Sequence, residues 1–275
     1  MIRAIRIGAV IVGAFIMAGL GGCATTSSSS TPSNGMGVVI MHGKGGSPTR
    51  HVSSLASSLQ GKGYAVANVQ MPWSGTRNYD VDVASAEKEI DAALVDLRSR
   101  GAKTLFVAGH SQGGVFALHY GSKHRVDGII AMAPGGDVGS PTFVGKLGPS
   151  VQLARKMVAE GQGAVKEKFF DYEGSKGLTP ITTTAAIYLD WFDPDGAMNH
   201  GIAARNMDPQ TPVLHVAPTG DYKGLLRTKQ AMFHSLPRHA LTKLYEPNAS
   251  HLGAPSASAD EIVRWTTAVA SKPGS

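Results

Sequence analysis

Cysteine occurs once in these 275 residues, at Cys23. With a single sulfur the chain can form no internal disulfide, and no Cys/His cluster has the spacing of a metal site. No Gly-rich fingerprint of the dinucleotide or P-loop kind is present either. The sequence therefore asks for no metal and no organic cofactor. Charge is scarce, at 17% of residues. The formal net charge of +6 includes Arg3 and Arg6 near the N-terminus; the remainder is about +4 and contains no basic run. Nucleic-acid binding has little support on that ground. Beyond residue 20 no apolar run is long enough to span a bilayer, so the folded part is expected to be soluble. What is abundant is apolar residues, 42% of the chain, which suits one globular domain with a sizeable core.

The N-terminus reads as a leader. Met1 to Arg6 is basic, and Ile7 to Leu20 is an uncharged apolar stretch too short to prefer a stable span. Leu20-Gly21-Gly22-Cys23 follows and looks like a bacterial lipobox, in which the Cys is acylated and becomes the new N-terminus. An ordinary signal peptide with a chance Cys is the alternative. The lipobox reading predicts a signal peptide over 1–22 and a lipid anchor on Cys23. It predicts attachment to the membrane of a bacterial cell envelope, on the periplasmic side of the outer membrane in a two-membrane bacterium, because Ala24 is not an Asp-type retention signal. Several acyl chains on one residue hold a protein where one would not. Residues 23–35 are Ser/Thr-rich and are expected to be an unstructured tether.

The chemistry centres on Gly109-His110-Ser111-Gln112-Gly113. An apolar run, Leu105 to Ala108, precedes it, and a helix-like stretch, Val115 to Leu118, follows. The order is strand, tight turn, helix. Such a turn pushes the Ser hydroxyl outward, and it needs glycines two residues to either side because side chains there would strike neighbouring backbone. The following helix adds free amides and a positive dipole end. Glycine is common in this chain, with 34 residues, so the pentapeptide alone is weak; the strand and helix around it make it informative. In this setting it resembles the nucleophile elbow of the α/β-hydrolases.

That resemblance assigns further roles. The apolar run Gly37 to Met41 ends in His42-Gly43-Lys44-Gly45-Gly46. The family uses a His-Gly turn here for one oxyanion-hole amide, which falls on the backbone N–H of Lys44; the other falls on Gln112, after the nucleophile. An ordinary Gly-rich strand-to-helix turn is the plain alternative. The family's carboxylate follows a later strand, here Pro212 to Ala217, which selects Asp221, although Gly-Asp is also common turn chemistry. Asp190, Asp193 and Asp195 compete, without a strand end beside them. The family's histidine lies in a loop before the last helix, which selects His251 over His239; His42 and His110 read as structural histidines. The order Ser111, Asp221, His251 is that of the α/β-hydrolases.

Strands and helices alternate from Met36 onward, so the fold class is α/β, with a mostly parallel sheet of about six strands and helices on both faces. Helical spacing covers Val52 to Leu59 and Val83 to Leu97, with a strand at 65–71 between them. The domain runs over 36–275. A segment at about 137–210 is too long for a plain connection and is expected to form a small helical cap, with helices at 151–159 and 185–192. Ser258 and Glu261 have the spacing of a capping box for the last helix. Trp73 either lines the pocket or caps the end of the sheet. The function implied is a serine hydrolase that cleaves a small-molecule or lipid-like carboxylic ester through an acyl-enzyme. The same residues also serve acyltransferases, thioesterases and amidases, and the fold can be kept for binding alone.

Overall fold

The computed structural model describes residues 32–271. The leader and Cys23 lie outside the described residues. Of the expected tether, residues 32–35 are described and are not loose. Asn34 donates through Nδ2 to the Lys62 carbonyl at 3.1 Å and accepts from the Met36 amide at 3.0 Å, which ties the entry of the first strand to a helix end.

The chain alternates strictly at first: β1 (Met36–Met41), α1 (Ser53–Gly61), β2 (Ala65–Val69), α2 (Val83–Ser99), β3 (Thr104–His110), α3 (Gln112–Lys123) and β4 (Gly128–Met132). A long excursion follows. It comprises α4 (Pro141–Ala159), the hairpin β5 (Lys166–Glu173) and β6 (Gly177–Thr184), α5 (Ala185–Phe192) and α6 (His200–Asn206). The chain then returns through β7 (Val213–Val216), α7 (Lys223–His234), β8 (Lys243–Tyr245), α8 (Ala254–Ala257) and α9 (Ala259–Ala270). The main sheet has six strands in the order β2-β1-β3-β4-β7-β8, all parallel.

A parallel sheet with helices on both faces buries its central strands completely, which explains the unbroken apolar runs of β1 and β4. Successive side chains point to opposite faces. Val39, Met41, Val107 and Ile129 join α2, α3 and the excursion in one core, while Val38, Ile40, Phe106 and Ile130 join α1 and α9 in the other.

The segment at 137–210 contains the two expected helices, but it is not all helical. The hairpin β5–β6 alternates buried Phe169, Asp171, Ile181 and Thr183 with solvent-facing neighbours, a period-2 pattern rich in Thr and aromatic residues. Helix α4 also begins ten residues before the expected 151. Ser140 caps it by accepting from the Phe143 amide, and Pro141 opens it. The predicted capping box does not form. Short helix α8 runs directly into Ser258, whose backbone is helical and whose Oγ donates to the Ala254 carbonyl. Glu261 instead takes ion pairs from Lys243 and Arg264.

Candidate active site

Ser111 sits between β3 and α3 with φ 55° and ψ −117°. A non-glycine residue in that region costs on the order of 1–3 kcal/mol and persists only when its surroundings force it. Here they do. The Ser111 amide donates to the Met132 carbonyl on β4, and the Ser111 carbonyl accepts from the amides of Gly114 and Gly135. The glycines are required by space: a Cβ on Gly109 would stand 1.9 Å from the Gly113 carbonyl oxygen, and one on Gly113 would stand 2.8 Å from the carbonyl oxygens of Met41 and His42.

The other residues selected from the sequence gather at the same C-terminal edge of the sheet. Asp221 follows β7 and His251 follows β8. The two loops are stitched together by a bridge between Gly220 and Ser250, with the Gly220 amide on the Ala249 carbonyl and the Thr219 amide on the Pro247 carbonyl. This brings Asp221 Oδ1 within 2.7 Å of His251 Nδ1, with both side chains buried. The Asp221 carboxylate also accepts the Tyr222 amide at 2.7 Å. The Tyr222 ring lies over the imidazole at 4.4 Å between centroids.

The elbow reaches this pair through His110. Its Nε2 meets the His251 carbonyl at 2.9 Å, and the two rings are 5.0 Å apart. Because a carbonyl can only accept, His110 carries its proton on Nε2. Burial, and then the nearby His251, hold its pKa down to about 3, so it stays neutral. Among the described residues Ser111 Oγ makes no hydrogen bond to the imidazole; such bonds commonly tighten only once substrate is bound.

The turn after β1 is equally fixed. His42 Nε2 accepts the Met71 amide at 3.0 Å, and Nδ1 donates to the Gly43 carbonyl at 2.7 Å; burial lowers its pKa. Trp73 donates to the His42 carbonyl and packs on Phe116 and Trp191. It is 2% exposed and belongs to the core rather than to a pocket wall. The amides of Lys44 and Gln112 donate no hydrogen bond among the described residues; Gln112 opens α3, where the helix itself leaves N–H groups free.

Asp190, Asp193 and His239, three of the competing residues, are engaged elsewhere. Asp190 accepts the Val83 amide at 2.6 Å, Asp193 pairs with Arg155 and accepts the Asp195 amide, and His239 accepts the Leu241 amide. An apolar groove of about 430 Å³ runs along α4, lined by Val138, Phe143, Leu147, Val151, Phe192 and Pro194. Phe143 also faces the Lys44 ammonium, 5.4 Å from the ring centre. The sequence reading missed Tyr222, Tyr79 and Asp171; only the adjacency of Tyr222 to Asp221 offered a signal.

The same architecture recurs among solved structures. A monoacylglycerol lipase of Paleococcus ferrophilus is 22% identical, with 87% of this chain and 96% of the other covered and a TM-score of 0.60. Est1E from Butyrivibrio proteoclasticus, bound to ferulic acid, is 17% identical, with 90% and 93% covered and a TM-score of 0.58. A thermostable carboxyl esterase from Bacillus coagulans is 14% identical, with 85% and 88% covered and a TM-score of 0.57. No curated protein matched the chain. At such identities the likeness speaks for the fold. The sequence profile of the alpha/beta hydrolase family matches residues 38–265, spanning the elbow, the turn after β1 and the joined loops, and the chain belongs to that family.

Proposed function

We propose that this chain is a serine hydrolase that cleaves carboxylic esters through an acyl-enzyme. The observation that carries the reading is the Asp221–His251 pair, seated on a loop joined through His110 to the strained turn that presents Ser111. With Nδ1 directed at a carboxylate, His251 keeps its proton there and leaves Nε2 as the base. His251 takes the Ser111 proton as Oγ attacks the ester carbonyl, and Asp221 stabilises the imidazolium that forms. The carbonyl oxygen becomes an oxyanion and takes hydrogen bonds from the Lys44 and Gln112 amides, which have no other partner to surrender among the described residues. His251 then protonates the leaving alcohol, and the same base activates the water that releases the acid.

An apolar acyl group suits the surroundings. The groove along α4 offers hydrocarbon walls, and Tyr222 and Leu252, next to the pair in sequence, are each 47% exposed. Acylation of Cys23 would hold the enzyme at a membrane, where lipid-like esters are at hand. The test is labelling with a fluorophosphonate together with hydrolysis of chromogenic esters of graded chain length. Wild type should label and turn over, and Ser111→Ala should do neither while keeping its circular dichroism spectrum. Turnover by Ser111→Ala at the wild-type rate would end this reading.

A further inference from the structure

Between the two amides proposed for the oxyanion hole runs a buried chain of polar side chains that the reaction itself does not use. Lys44 Nζ donates to Asp171 Oδ1 and to the Tyr172 carbonyl, the latter at 2.9 Å. Tyr79 OH donates to the other oxygen of the same carboxylate, Oδ2, at 2.9 Å. Gln112 Nε2 donates to the Tyr79 hydroxyl at 3.1 Å. Asp171 and Tyr79 are 2% and 3% exposed. Asp171 comes from the hairpin β5–β6, far from the other three in sequence.

Each member is held on more than one side. Asp171 Oδ1 also accepts the Tyr172 amide at 2.6 Å. Asn78 and Tyr79 both have positive φ, 50° and 57°, which a bulky residue adopts only under constraint. The constraint is visible: the Tyr79 amide donates to the Pro72 carbonyl at 2.7 Å, and its carbonyl accepts from Thr183 Oγ1, on the same hairpin, at 2.9 Å. A buried carboxylate beside a largely buried ammonium is costly unless both are fully hydrogen-bonded. Here the two oxygens divide the work, one toward Lys44 and one, through Tyr79, toward Gln112.

Resting on the hydrolase reading above, we infer that Asp171 is a positioning residue that fixes the spacing of the Lys44 and Gln112 amides. The hairpin is thereby part of the assembly of the oxyanion hole. The Lys44 amide lies in a Gly-rich turn whose neighbours are tied down, the Gly45 amide to the Trp73 carbonyl and the Gly46 amide to the Gly43 carbonyl; the Lys44 side chain, anchored on Asp171, adds the tie at Lys44 itself and the one that reaches the hairpin. Oxyanion stabilisation depends on donors fixed in advance, and a shift of a fraction of an ångström weakens it.

Asp171→Asn tests this. It keeps the shape but turns one acceptor oxygen into a donor, so either Lys44 or Tyr79 loses its partner. Active sites are counted by fluorophosphonate titration, and kcat is expressed per labelled site. We expect kcat per site to fall about tenfold or more, with KM changed less than about threefold. Fluorophosphonate inactivation should slow in parallel, because the phosphonyl oxygen occupies the same hole. A residue that only stabilised the fold would lower the number of labelled sites and leave kcat per site within about twofold; that result overturns the inference. If Asp171→Asn does not fold, Tyr79→Phe removes one hydroxyl while keeping the ring on Trp191 and Phe192. It should lower kcat per site at least about threefold, and unchanged kcat there overturns the inference as well. Where both variants fold, the double variant should be no slower than Asp171→Asn by the full Tyr79→Phe factor, because the two share one network; full additivity counts against it. Absence of labelling at Ser111 in wild type would remove the hydrolase reading and this inference with it. Labelled wild type with an unaffected Asp171→Asn removes the inference alone.

Discussion

Acid should unfold this protein early, and three buried histidines are the reason. His110, His200 and His215 are 2%, 3% and 1% exposed. Burial depresses all three, to about 3, about 4 and about 3, with neighbouring His251 adding to the effect on His110 and His200 adding to that on His215. Each has a buried ring nitrogen without a partner among the described residues: Nδ1 of His110 and His215, and Nε2 of His200. In the unfolded chain they titrate near 6.5. The folded pKa lies below the unfolded one, so the unfolded state binds protons first as pH falls. The stability these groups contribute is complete above about pH 7.5 and is lost as pH drops through 6.5 toward the folded values. Each histidine contributes a slope of about 1.4 kcal/mol per pH unit well below 6.5, and the three together about 4 kcal/mol per unit. For a domain stability of about 6–10 kcal/mol, in the middle of the usual range, that slope places the transition between about pH 4 and 5. The informative variant is His215→Phe. The ring lies near Phe233 and lines a small cavity with Leu225 and Met232, so a neutral ring of similar size fits. Urea unfolding followed by tryptophan fluorescence at a series of pH values gives the slope directly. The variant should match wild type at about pH 7.5 to within about 1 kcal/mol and lose about 1.4 kcal/mol per unit of slope below pH 6. An unchanged slope with unchanged stability at neutral pH would refute the reasoning.

Asp221→Asn should lower kcat about a hundredfold or more by favouring the wrong imidazole tautomer, and His251→Ala should cost nearly as much as Ser111→Ala; steady-state kinetics would expose an error if His239→Ala were inactive instead. Burial raises the Glu87 carboxyl, but hydrogen bonds from His119 and Lys123 outweigh it and bring the pKa to about 2. Its stabilisation is therefore present above about pH 4.5 and lost on acidification below that. Glu87→Gln should cost about 2 kcal/mol and lower Tm by about 6 °C at neutral pH by calorimetry; an unshifted Tm would count against a structural role for this cluster. Cys23→Ser should move the protein from the membrane fraction to the soluble one with kcat intact, and mass spectrometry finding Cys23 unmodified in wild type would remove the proposed anchor.

Much of the sheet was legible because its strands are buried on both faces and punctuated by Gly turns, so β1, β3 and β4 stand out as apolar runs. The candidate site was legible because chain order and strand ends restrict where each group can lie, which separated Asp221 from Asp190, Asp193 and Asp195. Other features depend on tertiary contacts that leave no local mark. Ser258 and Glu261 have capping-box spacing, but α8 holds Ser258 in helical conformation and the box cannot form. Helix α4 runs through Gly145, Gly148 and Pro149, all poor helix formers, and so begins ten residues before the expected 151. Asp171 looks like one more surface carboxylate in a polar strand; only the fold turns it inward to meet Lys44.

The excursion between β4 and β7 has an engineering consequence. These two strands pair directly, Ile129 with Val213 through Met132 with Val216, so the sheet closes without needing the residues in between. A transplanted segment of another length could therefore enter and leave at the same seam. Outright deletion is a different matter, because Trp191 covers Trp73 and Phe116 and its loss would leave a large aromatic surface facing water. Any substitute must thus bring its own apolar underside. On the inference above it must also bring an acceptor for the Lys44 ammonium, or the chimaera would fold and bind ester while turning it over slowly. Swapping such segments to change substrate preference would then succeed or fail on one carboxylate that never touches the substrate.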